Sequence, residues 1–275
     1  MPGRLIVVPT PIGNLGDLTP RAREALSGAD AIACEDTRRT GRLFELLELE
    51  KPRLISNHEG NESERSREIV QAIERGAVVA LVSDAGTPAI SDPGYRLIGA
   101  CIARDLEIEV LPGASAVTTA VVVSGLPAHR WRFEGWLPRR AGELERVLRS
   151  TETVVAFESP RRIAEALKAL AALAPDRPAA VCREMTKLHE EISRGTLGEL
   201  ARKFGGEEDA RGEIVLVIGP GSSAETPDIG FAVEALRGLV RSGAKPRAAA
   251  SVVSALTGVP ANELYRHLTG RDPRR

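Results

Sequence analysis

Ala77-Val78-Val79-Ala80-Leu81-Val82 is an unbroken apolar run that stops at Ser83-Asp84-Ala85-Gly86-Thr87-Pro88-Ala89-Ile90-Ser91-Asp92-Pro93-Gly94. A strand without polar alternation has to be covered on both faces, as the central strands of parallel α/β sheets are. The loop behind it then opens at the carboxyl edge of the sheet, where such folds place ligands. Gly86, Pro88, Pro93 and Gly94 fix its turns, and Asp84 and Asp92 offer acceptors for hydroxyls or an amine. Taken alone, the loop reads equally well as an ordinary strand-to-helix connection.

The same unit recurs. Leu5–Val8 runs into Pro9-Thr10-Pro11-Ile12-Gly13-Asn14-Leu15-Gly16-Asp17. Thr19 then reads as an N-cap, with Pro20 at the first helical position and Ala22, Ala25, Leu26 and Ala29 as the apolar stripe. Ala31–Cys34 ends in Glu35-Asp36-Thr37-Arg38, and Arg53–Ser56 ends in Asn57-His58-Glu59-Gly60-Asn61-Glu62. Glu107–Leu111 ends in Pro112-Gly113-Ala114-Ser115. Helices through Leu43 to Leu47, through Ile69 to Ile73 and from Tyr95 to Ala103 separate these strands, which predicts a mainly parallel sheet. After a small-residue helix, Ala116 to Val123, a second series begins. It has strands at Arg132–Leu137, Thr153–Phe157, Ala179–Cys182, Glu191–Ser193 and Glu213–Gly219, with a helix over Arg161–Leu173. The expectation is an α/β chain of two α/β domains, 1–114 and 115–221, the second sheet mixed, with Pro220–Ser223 as a linker.

From Arg237 onward eight Lys/Arg stand against two acidic residues. A helix from Pro246 to Ala255, a turn at Thr257-Gly258-Val259-Pro260 and a helix from Ala261 to Leu268 form a helix-turn-helix-like pattern on a basic background. Residues 222–275 are therefore expected to be a basic helical extension, either RNA-binding or a plain helical hairpin.

Composition narrows the classes. The 275 residues exceed the commonest single-domain size, and aromatics make up only 3%, so the cores have to be built from Ala, Val, Leu and Ile. Cys34, Cys101 and Cys182 are odd in number and far apart, which suits a reducing compartment and neither disulfides nor a zinc site. No apolar run approaches ~18 residues, so a soluble, cytoplasmic protein off the membrane is expected. The histidines are scattered and no carboxylate–histidine cluster asks for a metal, so no metal is expected. There is neither G-x-x-x-x-G-K-[ST] nor G-x-G-x-x-G, and Ser115 lacks the second glycine of a nucleophile elbow. Three Gly/Pro-rich loops without a phosphate cradle suit a neutral or zwitterionic nucleoside cofactor.

V-P-T-P-I-G-N-L-G-D-L-T, E-D-T-R, S-D-A-G-T-P-x-I-S-D-P-G and L-P-G-A-S-A, with Phe157–Arg162 and Cys182–Lys187, carry a resemblance. The chain resembles the tetrapyrrole-methylase-like (class III) S-adenosylmethionine methyltransferases, and among them the ribosomal RNA ribose-methylating subfamily. The first loop of the wider superfamily, G-x-G-P-G-D, stands here as P-T-P-I-G-N, the RNA-modifying variant. The resemblance implies S-adenosyl-L-methionine folded in a cleft between two α/β domains, a homodimer, and 2′-O-methylation of a cytidine in the decoding region of 16S rRNA within the 30S subunit. It implies cofactor contacts from Pro11, Asp84, Ala85, Gly86, Ser115, Phe157, Met185, Leu216 and Val217, the last two through backbone. Phe157 and Met185 also have a simple core reading.

Transfer to a ribose hydroxyl needs alignment at ~3–3.5 Å and a route for the proton. Lys187, Glu184, Asp84 and Asp36 are the candidate bases, a lysine only where its pKa is lowered. Arg38, His58, Asn61 and Glu62 are expected at the RNA-facing mouth. Arg38, Arg39, Arg139, Arg140, Arg161 and Arg162 are candidates for phosphates, together with Lys245, Arg247 and Arg266 of the extension. Two alternatives stay open: a methylase of tetrapyrroles or another small acceptor, and a non-catalytic RNA-binding protein. The modest basic surface points to an assembled RNA–protein particle as substrate.

Overall fold

The computed structural model describes residues 3–206, 212–221 and 229–269. The chain divides into two compact units, Met1–Pro220 and Gly221–Arg275.

The first unit holds two five-stranded sheets. In chain order the first half comprises β1 (Arg4–Val7), α1 (Pro20–Ser27), β2 (Ala31–Cys34), α2 (Thr37–Leu46) and β3 (Arg53–Ser56). It continues with α3 (Glu62–Glu74), β4 (Val78–Val82), α4 (Tyr95–Ile102) and β5 (Glu107–Val110). These strands are all parallel, in the order β3-β2-β4-β1-β5. Alternate residues of each strand enter different cores. Leu5, Val7, Val79 and Leu81 pack with Ile69, Ile73 and Leu97 from α3 and α4, on one face of the sheet. Ile6, Val8, Ala80 and Val82 pack with Ala22, Leu26 and Phe44 from α1 and α2, on the other. That two-sided burial is why β1, β2 and β4 lack the polar alternation that the edge strand β5 keeps. The Thr19 hydroxyl caps α1 by accepting from the Ala22 N–H at 3.1 Å, as its sequence predicts.

The second half comprises α5 (Ala116–Ser124), β6 (Trp131–Trp136), α6 (Ala141–Leu148), β7 (Thr153–Glu158) and α7 (Ile163–Leu173). β8 (Pro178–Arg183), β9 (Glu191–Thr196), α8 (Leu197–Phe204) and β10 (Ile214–Ile218) follow. Its sheet is mixed, in the order β6-β7-β10-β8-β9, with β10 antiparallel to both neighbours. Ile214, Leu216 and Ile218 face α7 and α8, whereas Val215 and Val217 face α5. The α6 and α8 helices have no counterpart in the sequence reading. A buried arginine ties this half together: Arg177 donates to the carbonyls of Gly219 (2.8 Å), Ser150 (2.9 Å) and Leu148.

Among its described residues the second unit has three helices, where two were expected from sequence. They are α9 (Ile229–Arg241), α10 (Pro246–Thr257) and α11 (Ala261–Thr269). They share a core of Ala232, Leu236, Ala250, Val253, Val259 and Leu264. Gly258, at φ 74°, makes the turn that closes α10. Ser222 and Ser223 of the expected linker lie outside the described residues.

Replacing Arg177 by methionine strands three carbonyls. The expected loss is roughly 3 kcal/mol, at about 1 kcal/mol per orphaned acceptor, read as a lower denaturant midpoint at unchanged m-value.

Candidate active site

The strands β1 and β4 are neighbours, yet β1 feeds α1 on one face of the sheet and β4 feeds α4 on the other. Their loops therefore part and leave a crevice at the carboxyl edge, the switch point of an open α/β sheet. The loops bridge it with backbone bonds: Thr10 N–H to Gly86 O (2.9 Å) and Gly86 N–H to Thr10 O (3.0 Å). The Thr10 hydroxyl donates to Ser83 O at 3.2 Å, and the Thr87 hydroxyl to Ala114 O at 3.1 Å, drawing in the loop after β5. Gly86 sits at φ 78°, and a Cβ there would stand 3.4 Å from Ile12, so its backbone conformation calls for glycine. Further along, Ala89 (φ 68°) and Ser91 (φ 62°) hold left-handed backbone. The buried Glu62 carboxylate stabilises that turn by accepting the N–H groups of Gly94 (2.8 Å) and Arg96 (3.0 Å). Glu62 is thus a clamp on the loop, and not the RNA-facing group the sequence suggested.

Between the two halves of this unit lies a cavity of about 400 Å³. Its apolar wall includes Ile12, Val117, Phe157, Met185 and Val215, and its polar wall Glu35, Arg39, Asp84, Asp92, Ser115 and Glu158. Asp84 is paired on both oxygens, with Arg39 at 3.2 Å and the Asp36 N–H at 3.2 Å. Burial, then the nearby charges of Glu35 and Asp84, push the Asp92 carboxyl up to about 6, against the pull of the Ser83 hydroxyl. Burial and Asp84 likewise raise Glu35. Glu158, raised by burial, is held by the Ser159 N–H at 2.5 Å and by Arg162 at 3.2 Å.

The cavity gathers Asp84, Ala85, Gly86, Ser115, Phe157 and Met185 from the predicted set. Pro11 is displaced from the lining by its neighbour Ile12. Leu216 and Val217 also fall outside it, and Ile214 and Val215 take their place. The reason is place along the strand: Ile214 and Val215 open β10 at the cavity, whereas Leu216 and Val217 lie further in, one under α7 and α8 and the other under α5. Lys187 donates to Glu184 (2.8 Å) and Glu213 (3.0 Å). Burial alone would lower its pKa, but these two carboxylates outweigh that and hold it up, so Lys187 lacks the lowered pKa a base needs. Glu184 is correspondingly held low, its own burial outweighed by Lys187 and the Glu213 N–H. The Lys187 stem packs on the first loop, where a Cβ at Gly13 would approach Lys187 Cγ to 2.3 Å. Asp36 caps α2 and pairs with Arg38, whose bonds bring its carboxyl down to about 2.

Of the predicted RNA-facing residues, Arg38, Arg161, Lys245, Arg247 and Arg266 are exposed. Arg247 lies over the Tyr265 ring at 5.9 Å, and Arg266 Nε donates to Asn262 O at 3.2 Å. Arg162 is instead an internal partner of Glu158. Asn61 and His58 build their own turn: Asn61 Oδ1 accepts the His58 N–H at 2.8 Å, and His58 Nδ1 accepts the Gly60 N–H at 3.2 Å. Sequence reasoning missed Glu35, Glu158 and Trp136 as cavity residues. Trp136 carried a readable signal, being one of two tryptophans in an aromatic-poor chain.

Residues 4–201 match the family model described as Tetrapyrrole (Corrin/Porphyrin) Methylases. The chain is 44% identical over 271 residues to a Ribosomal RNA small subunit methyltransferase I of Micromonospora olivasterospora, covering 97% of this chain and 86% of that one. A protein of the same name from Thermotoga maritima is 43% identical over 219 residues, 78% of this chain and 98% of its own length. Among solved structures, Uroporphyrin III C-methyl transferase from Thermus thermophilus superposes with a TM-score of 0.57 at 20% identity, over 79% of this chain and 97% of that one.

Because its carboxyl is raised in the folded state, Asp92 contributes stability that is present below the unfolded value of 3.8 and lost as pH rises through about 6. Asp92→Asn is therefore expected to be more stable than wild type at pH 8, with the gap closing toward pH 4, in denaturation melts across that range.

Proposed function

The chain belongs to the tetrapyrrole methylase family, within its ribosomal RNA small subunit methyltransferase I group, and on that premise we propose that it 2′-O-methylates a cytidine of 16S rRNA. The observation that carries this reading is the cavity itself. Its volume lies within the range of small-molecule sites, and its wall has one apolar side and one side rich in carboxylates. That lining fits S-adenosylmethionine, whose nucleoside is apolar on its faces and whose sulfonium and amine are cationic.

Phe157 and Met185 pack the adenosine, and the backbone of Asp84, Ala85 and Gly86 fixes its polar edge. Ser115 makes no side-chain cap bond to α5, so its hydroxyl and the helix N-terminus are available to the methionine carboxylate. When bound, the sulfonium supplies an already activated methyl group. The chain's own task is to align the hydroxyl, exclude water and take up a proton.

The exposed Arg38 and Arg161 steer phosphates, with Lys245, Arg247 and Arg266 adding contacts from the helical unit. The Thermotoga relative, matched over nearly its whole length by 219 residues, is close in size to the first unit. The three-helix unit therefore supplements recognition and is not its foundation. A homodimer acting on the assembled small subunit in the cytoplasm completes the reading. Three buried free cysteines accord with a reducing compartment, and no helix among the described residues is long and apolar enough to cross a membrane.

Labelled S-adenosylmethionine, incubated with small subunits from cells lacking the protein, is expected to mark one ribose-methylated cytidine. Intact cofactor binding with no label in that RNA would sink the reading, and a porphyrinoid acceptor would be the next substrate to try. Phe157→Ala is expected to weaken cofactor binding about 10-fold or more in calorimetry, the scale of one lost stacking contact of 1–3 kcal/mol.

A further inference from the structure

A short motif stands twice at strand ends: Pro138-Arg139-Arg140 after β6 and Pro160-Arg161-Arg162 after β7. The two strands are parallel neighbours with Trp136 opposite Phe157, and the Leu137 N–H donates to Phe157 O at 2.9 Å. Both turns therefore leave one sheet edge side by side, starting about 4.8 Å apart. One of the four arginines is turned inward. Arg162 pairs with the buried Glu158 at 3.2 Å and donates to Leu137 O at 3.4 Å, which ties the second turn to the first. Burial raises the Glu158 carboxyl, and the Ser159 N–H, Arg162 and then Arg139 pull it back, so a guanidinium from each turn acts on this carboxylate.

The other three, Arg139, Arg140 and Arg161, are exposed, and their side chains take no ion pair or hydrogen bond among the described residues. Neighbouring cations differ. Arg38 is held by Asp36 at 2.9 Å and Arg39 by Asp84 at 3.2 Å, while Arg146 and Arg149 of α6 each reach a glutamate at 3.9 Å. Arg140 is also the N-cap of α6 and Arg162 that of α7, and neither helix receives a side-chain cap bond. The first N–H groups of both helices thus add to the positive field of the turns. This surface adjoins the cavity, since Trp136, Ser159 and Pro160 line it. The register of β6 slips between Phe133 and Trp136, around Gly135 at φ 72°. The indole there is 58% exposed and braced edge-on by Phe157 at 5.9 Å.

We infer that the two Pro-Arg-Arg turns grip consecutive phosphates of the single-stranded RNA segment that flanks the target nucleotide. The assignment rests on the RNA-methylation reading and gives the strand its path to the cavity. Guanidiniums hold phosphate oxygens in pairs, which suits two arginines on one turn. Three unpaired guanidiniums on adjoining turns repel one another, and phosphates lying between them remove that repulsion. Arg162 is a positioning residue: its contacts with Glu158 and Leu137 O hold the turns together while its neighbours stay free. An open aromatic ring beside the arginines favours RNA over an acidic peptide, because every base offers a face to stack.

The test uses the full chain with S-adenosylhomocysteine. Its binding to small subunits from cells lacking the protein, and to a single-stranded ribo-oligonucleotide, is measured over a salt series. Each phosphate contact on a single strand adds about −0.7 to the slope of log K against log salt. Replacing Arg139, Arg140 and Arg161 together by glutamine should flatten the slope by about 2 for both ligands. It should also raise KM for small subunits about 10-fold or more, while calorimetric affinity for S-adenosylmethionine, which reports an intact fold, stays at the wild-type value. Arg146→Gln with Arg149→Gln, a charge loss on the ion-paired part of α6, should leave the slope unchanged. An unaltered slope in the triple variant, an equal flattening in the α6 variant, or poly-glutamate bound as tightly as the oligonucleotide would each overturn the assignment, and labelled subunits would still uphold the methylation reading. Wild-type protein whose oligonucleotide binding depends on these arginines, but which neither binds nor labels small subunits, would overturn the RNA target and leave the phosphate surface standing.

Discussion

The winding around β4 governs this protein. Because β4 sends its chain to one face of the sheet and both neighbours, β1 and β2, send theirs to the other, three loops are left at one edge with no helix to cover them. Their backbone groups have to find partners among themselves. The reciprocal Thr10–Gly86 bonds, the Thr10 and Thr87 hydroxyls and the Glu62 carboxylate supply those partners. The result is a rigid rim carrying left-handed residues at Ala89 and Ser91, a conformation that persists only when its surroundings over-determine it. The cavity is a by-product of topology, and its precision comes from those few bonds.

Strands and their loops were legible because two-sided burial writes itself as continuous apolar runs, and turns write themselves in Gly and Pro. The part of a strand that lines the cavity was not. Leu216 and Val215 are adjacent and equally apolar, and place along β10 decides which lines the cavity, since Ile214 lines it from the same face as Leu216. Lys187 looked like a titratable group at a loop end, but its state depends on Glu213, 26 residues away. Trp136 reaches the cavity through a bulge at Gly135 that no periodicity encodes. The α8 helix was readable in principle, since Thr196 and Glu199 form a capping box ahead of it.

Charge is equally deceptive when counted along the chain. Arginine pairs suggest a basic surface, yet Arg162 neutralises a buried glutamate, Arg39 an aspartate of the cavity, and Arg177 serves three carbonyls. What remains is an acidic pocket in a chain of net charge −1. A wall of that sign suits a cationic methyl donor.

The strand order of the second sheet has a consequence for biosynthesis. The first sheet is complete once β5 has been made, so it can form early as the chain emerges. In the second sheet the central strand is β10, the last to be made, seated between β7 and β8. Until it arrives, these two strands have no shared partner, and Val215, part of the cavity wall, is missing. A nascent chain thus carries the rim long before it carries the wall. The pocket is completed only near the end of synthesis of the first unit.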